Sequence, residues 1–151
     1  MDKLIVIFCL CLAGCTSVEI PNYIKADHTY TRKIYDSYDR VVAATRRVLE
    51  HAHWKVVKET SPEVYEHGPE SSHNTQNAVL LFTEIKQLPR FLYSSYAHLN
   101  VYIQSTPDGS LVEVRYAKHT PILGKEMQST KNDQLVEGLL DKIEQDLSEN
   151  K

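Results

Sequence analysis

Apolar and polar positions along this chain follow two different periods. Between residues 38 and 52 apolar or small side chains recur at Tyr38, Val41, Val42, Thr45, Val48, Leu49 and Ala52, with Arg40, Arg46, Arg47 and Glu50 between them. That spacing predicts an amphipathic helix of four turns, entered through Asp36 or Ser37 as N-cap. A second helical stripe runs through Leu135, Val136, Leu139, Leu140, Ile143 and Leu147. Its start is predicted near Ser129 or Thr130, where Thr130 and Asp133 have the spacing of a capping box. Asp133, Glu137, Asp141, Glu144 and Asp146 fall on its other side and predict a solvated acidic face.

Elsewhere the period is two. Ala97, Leu99, Val101 and Ile103 point one way, and His98, Asn100, Tyr102 and Gln104 the other. Pro107-Asp108-Gly109 supplies a turn, and Val112, Val114 and Tyr116 continue the apolar face on a returning strand. Further strands are predicted at 29–35, 54–59 and 78–85. The polar stretch from Ser61 to Asn77 reads as irregular, with a short extended piece at Val64-Tyr65. The order β-α-β-β-β-β-α, without repeats, predicts an α+β fold. Two amphipathic helices should cover one face of an antiparallel sheet of about five strands.

The amino terminus is different in kind. Lys3 precedes an apolar run from Leu4 to Ala13, too short to span a bilayer as a helix but of the length found in secretory signals. Leu12-Ala13-Gly14-Cys15 then resembles the lipobox of bacterial lipoproteins. The resemblance implies cleavage before Cys15, with that cysteine carrying the lipid. The chain then divides into a signal peptide, 1–14, a lipidated cysteine with its tether, 15–28, and one α+β domain, 29–151. Thr16 stands where an aspartate would resemble an inner-membrane retention signal, which implies an outer-membrane lipoprotein facing the periplasm. The tether residues would reach about 40 Å at full extension. Cys9 and Cys11 would leave with the signal, so the fold must rely on its packed core rather than on disulfides. The net charge of −3 gives no electrostatic case for nucleic acid.

The pattern of elements, taken with the lipobox, resembles small bacterial lipoproteins of unknown function. Their single domain is similar to the repeats of the C-component lipoprotein of the outer-membrane β-barrel assembly machinery. The residues that carry the likeness are 38–44 with 54–57, the hairpin from Asn100 to Tyr116, and 135–140. The resemblance implies no catalytic residues. Only one such domain fits here, which argues against the assembly-machinery lipoprotein itself.

Few residues are spaced for chemistry. His51 and His53 are two apart near a helix end and point in different directions. His67 and His73 lie in the polar stretch with Glu66 and Glu70, at spacings unlike those of zinc motifs. There is no nucleophile elbow and no clustered glycine loop to hold phosphate. The sequence therefore predicts no enzyme, no cofactor and no metal site.

Two surfaces remain as candidate partner contacts. Arg90, Phe91 and Tyr93 lie in a segment, 86–96, that shows no secure period and mixes basic with aromatic residues. They would either anchor a partner or fold over the edge of the core. Leu80, Phe82 and Tyr102 should face away from the helices and form an apolar patch on an open sheet face. The expected function is a membrane-anchored protein-binding or envelope-assembly module. The alternative is a structural lipoprotein or a carrier of an apolar small molecule on that open face.

Overall fold

The computed structural model describes residues 20–25, 28–65, 77–89, 91, 93–122 and 125–150. In chain order the elements are β1 (Tyr30–Ile34), α1 (Tyr38–His51), β2 (Val56–Thr60), a 3-10 turn (Pro62–Val64), β3 (Ala78–Thr83), β4 (Lys86–Pro89), β5 (Ser94–Thr106), β6 (Gly109–Ile122), β7 (Lys125–Ser129) and α2 (Asp133–Glu149). The fold is α+β, with two amphipathic helices against one face of an antiparallel sheet.

The long β5–β6 hairpin is the spine of that sheet. Toward its turn, β3 and then β2 add beside β5, and β1 adds beside β6. Toward its base, β4 pairs with Ser94–Ala97 and β7 pairs with Lys118–Ile122. These two short strands are additional to the five expected. Lys86–Pro89 shows no clear period because a four-residue edge strand offers only two positions per face, and it ends on a proline. The 3-10 turn at Pro62–Val64 replaces the extended piece expected around Val64.

The core lies between sheet and helices. Leu81, Leu99, Val101, Ile103, Val112 and Val114 meet Val41, Ala44, Val48 and Leu49 of α1 and Val136, Leu139, Leu140 and Ile143 of α2, all of them buried. Inside α1, the Thr45 hydroxyl donates to the Val41 carbonyl at 2.8 Å, so this buried polar group is satisfied. The second helix starts later than expected. Asn132, not Thr130, caps it, its side chain accepting from the Leu135 N–H at 3.3 Å. The cause is β7, which runs through Ser129 and delays the turn into the helix. Tyr30 fastens this start to β1, its hydroxyl accepting from the Asn132 N–H at 2.9 Å and donating to Asp133 at 2.6 Å. The acidic face of α2 is partly answered from within the chain. Arg32 on β1 reaches Glu137 and Asp141 at 2.5 Å and Glu144 at 3.2 Å, and Arg47 on α1 meets Asp146 at 2.5 Å.

The hairpin tip is where sequence and backbone are most tightly matched. Pro107 and Asp108 form the loop between the paired Thr106 and Gly109. Gly109 has a φ of 152°, and a Cβ there would stand 2.3 Å from the Ile34 carbonyl oxygen. Asp108 extends the same junction by pairing with Lys33 at 2.6 Å. Gly109→Ala should therefore destabilise the protein by about 1–3 kcal/mol, through backbone strain and displacement of β1. Chemical denaturation of the two proteins measures the difference. An unchanged midpoint would show that β1 moves aside without cost.

Candidate functional site

Side chains that point away from the helices form a second face, built from Leu80 and Phe82 of β3, alternate residues of β5 from Tyr96 to Gln104, and alternate residues of β6 from Leu111 to His119. This face was expected to be open, with Leu80, Phe82 and Tyr102 as an exposed apolar patch. It is not open there: Leu80 is fully buried and Phe82 is 2% exposed. Two pieces of the chain cover it. Tyr65, which follows the 3-10 turn, lies on Phe82 at 5.2 Å between ring centroids, and Tyr23 stacks on Tyr65 at 5.1 Å. Lys58 on β2 donates to the Tyr65 hydroxyl at 2.7 Å and holds that ring in place. Covering side chains of this size removes about 1.5–3 kcal/mol each of apolar exposure from water. Tyr102 is partly buried opposite Leu80, and its hydroxyl donates to Gln104 at 2.9 Å.

Residues 20–25, expected to run as free tether, are the second cover. Asn100, fully buried at the centre of β5, recognises their backbone. Its side-chain oxygen accepts from the Ile24 N–H at 2.7 Å, and its amide nitrogen donates to the Asn22 carbonyl at 3.1 Å. Ile24 is 3% exposed as a result. Arg115, next to Asn100 on β6, donates to the Tyr23 hydroxyl at 2.6 Å and to Glu113 at 2.6 Å. A polar residue in mid-strand thus serves as the clamp for a strap, because paired donor and acceptor on one amide match one peptide segment.

Beyond the strap the same face holds a cavity of about 430 Å³, walled by Pro21, Tyr23 and Ile24 on one side and by His98, Ala117 and His119 on the other. Its two histidines are diagonal neighbours, since Tyr96 pairs with His119 and His98 with Ala117. Their rings lie 6.0 Å apart and 14° from parallel. On the outer side His119 donates through Nδ1 to Glu126 of β7 at 2.5 Å, a carboxylate being able only to accept. Burial, and then the neighbouring His119, push the pKa of His98 down to about 4, against a smaller opposing effect of the Pro21 backbone. Neither His98 nitrogen reaches hydrogen-bond geometry with a described residue, and the same is true of His119 Nε2. No motif marks this pair, because 98 and 119 are distant in the chain. The signal was nevertheless there: once the turn at Pro107-Asp108 is fixed, counting back along both strands brings the two together.

The remaining predicted contacts lie on the β4–β5 hairpin. Phe91 is 100% exposed and Tyr93 40%, so neither covers the core. Gln87 donates to the Ser94 hydroxyl at 2.9 Å across the base of this hairpin. Arg90 and Cys15 lie outside the described residues, as do His67 and His73 with Glu66 and Glu70. A second groove of about 590 Å³ opens at the end of α1 beside Arg46, Glu50, His53 and Trp54. Beside it Arg46 pairs with Glu59 at 2.6 Å and Lys86 lies over the Trp54 ring at 5.2 Å. Among the described residues no helix is long and apolar enough to cross a membrane.

A pH dependence follows from His98. An unfolded chain protonates this histidine near its ordinary value of 6.5, whereas the folded one resists down to about 4. Its contribution to stability is therefore complete above pH 6.5 and is lost as pH falls toward 4, by at most about 3 kcal/mol. Melting temperatures from pH 8 to 4 should fall on the acid side, and His98→Gln should flatten that fall. Parallel profiles for both proteins would refute the assignment.

Compared with known proteins, the chain matches no protein-family model and no curated protein.

Proposed function

We propose that this chain is a membrane-anchored bacterial lipoprotein whose single domain acts in the periplasm as a protein-binding or envelope-assembly module. In this reading the lipid on Cys15 holds it at the outer membrane. The lipobox residues Leu12-Ala13-Gly14-Cys15 support the anchor. The observation that carries the binding role is the full exposure of Phe91, with Tyr93 also exposed in the same turn. Two aromatics within three residues, Phe91 fully exposed and Tyr93 40% exposed, stand off a hairpin whose base is already tied by strand pairing. Such side chains serve as anchors that enter a pocket on another protein. The carrier alternative draws less support, because the chain's own Tyr65 lies on Phe82 and Leu80 is fully buried, where an apolar ligand was expected.

Phe91→Ala combined with Tyr93→Ala should leave the thermal melt nearly unchanged, since neither side chain is buried. Crosslinks between the protein and envelope partners should be lost, with a fall in affinity of about 2 kcal/mol or more. A large drop in melting temperature would place these residues in the core instead. Crosslinks that persist at an unchanged melt would remove the hairpin from the contact surface.

The anchor is tested separately. Cys15→Ser should accumulate as an unlipidated precursor that retains its first fourteen residues. Mass spectrometry of the wild-type membrane fraction should find Cys15 acylated at the new amino terminus, and an unmodified Cys15 there would overturn the anchor.

A further inference from the structure

The strap is joined to the sheet differently from the strands and helices around it. Residues 20–25 form no strand and pair with no ladder. They are held by the Asn100 side chain on the backbone of Asn22 and Ile24, by the Arg115 bond to Tyr23, by the Tyr23–Tyr65 stack and by burial of Ile24. Pro21, Asn22 and Lys25 of the same segment are exposed. Contacts of this kind break without breaking the strands beneath, so the strap can open as a local unit.

Beside it lie two histidines, 1% and 3% exposed, with rings 6.0 Å apart and nearly parallel. Pro21, Tyr23 and Ile24 share their cavity with both rings, and the Pro21 backbone is close enough to act on the charge of His98. His119 has the Glu126 carboxylate on Nδ1, whereas neither nitrogen of His98 has a hydrogen-bond partner among the described residues. The charged groups on the surrounding elements do not answer a proton there. On β6, His119 opposes a second positive charge, and Glu113 and Arg115 are bonded to each other. On β7, Glu126 is engaged by His119. The strap brings Lys25, another cation, and Glu84 after β3 is exposed to water. The Pro21 backbone favours the charge, but by less than burial and His119 oppose it. A buried, unpaired imidazolium is costly, and water reaching the ring removes that cost.

We propose that the strap is an acid-released latch: protonation of His98 drives residues 20–25 off the sheet while the strands and helices stay folded. The closed strap keeps the ring neutral down to about pH 4, against 6.5 for the same ring in water. The open form therefore takes up the proton first, and its population rises as pH falls from 6.5 toward 4. Release uncovers Asn100 and Arg115, the two side chains that clamp the strap.

Amide exchange followed by NMR on the full-length chain in detergent reads the latch at one atom, the Ile24 N–H that bonds to Asn100. Corrected for intrinsic exchange, its protection should fall about a hundredfold between pH 7 and pH 4. At each pH it should lie below that of the Val101 and Leu140 amides, which report opening of the whole fold. His98→Gln, which keeps a polar side chain without a proton to gain, should hold the Ile24 protection constant. The His98 ring resonances of the wild-type chain should titrate over the interval in which protection is lost, and this carries the assignment if the variant does not fold. The latch is overturned if Ile24 protection does not fall, or if it equals that of Val101 and Leu140 throughout. It is also overturned if protection falls equally in folded His98→Gln, or at a pH where the His98 ring does not titrate.

Discussion

The Ile34 carbonyl oxygen stands 2.3 Å from where any side chain on Gly109 would begin, and much else is arranged around that closeness. It allows β1 to run directly beside the tip of the β5–β6 hairpin, and it lets the hairpin close in one way, over Pro107 and Asp108. Because side chains alternate with a period of two, a hairpin fixed at its tip has every position on both strands assigned to a face. Leu99, Val101, Val112 and Val114 then fall toward the helices. His98, Asn100, Arg115 and His119 fall on the other side by the same rule. A slip of one residue would bury the polar set in the core and expose the apolar set to solvent.

The two faces are completed by different means. The helical face is closed by amphipathic helices that bury aliphatic side chains, and its energetics are those of an ordinary core. The second face is closed by short, irregular segments held through a few specific contacts: Asn100 on the backbone of residues 22 and 24, Arg115 on Tyr23, Lys58 on Tyr65. Cover of this kind is incomplete, and the cavity beside His98 lies at its margin.

What was legible in the sequence is what repeats. Both helices and the central hairpin write their apolar period over ten or more residues, and each was found within a few residues of its place. Strands β4 and β7 were not, because four or five residues with mixed exposure carry too little period to separate from loop. The cover on the second face was not legible either. It rests on contacts between residues such as Ile24 and Asn100, 76 positions apart, and on single polar side chains that look like any solvated position. The alternation sets which side chains face away from the helices, but not whether they are exposed, since an irregular segment needs no period to form a third layer. The histidine pair belongs to an intermediate class: no motif announces it, yet strand register brings it together.

The docking of residues 20–25 changes how much chain is left to act as a leash. On the anchor proposed above, the chain between Cys15 and Ile20 can span at most about 17 Å, against about 40 Å for the whole tether expected from the sequence. The accessible volume around an anchor point scales with the cube of that length. The domain, and with it the hairpin bearing Phe91, would be confined to a thin shell against the bilayer. Within that shell its effective concentration toward anything seated in the same membrane rises by roughly an order of magnitude, with no added contact.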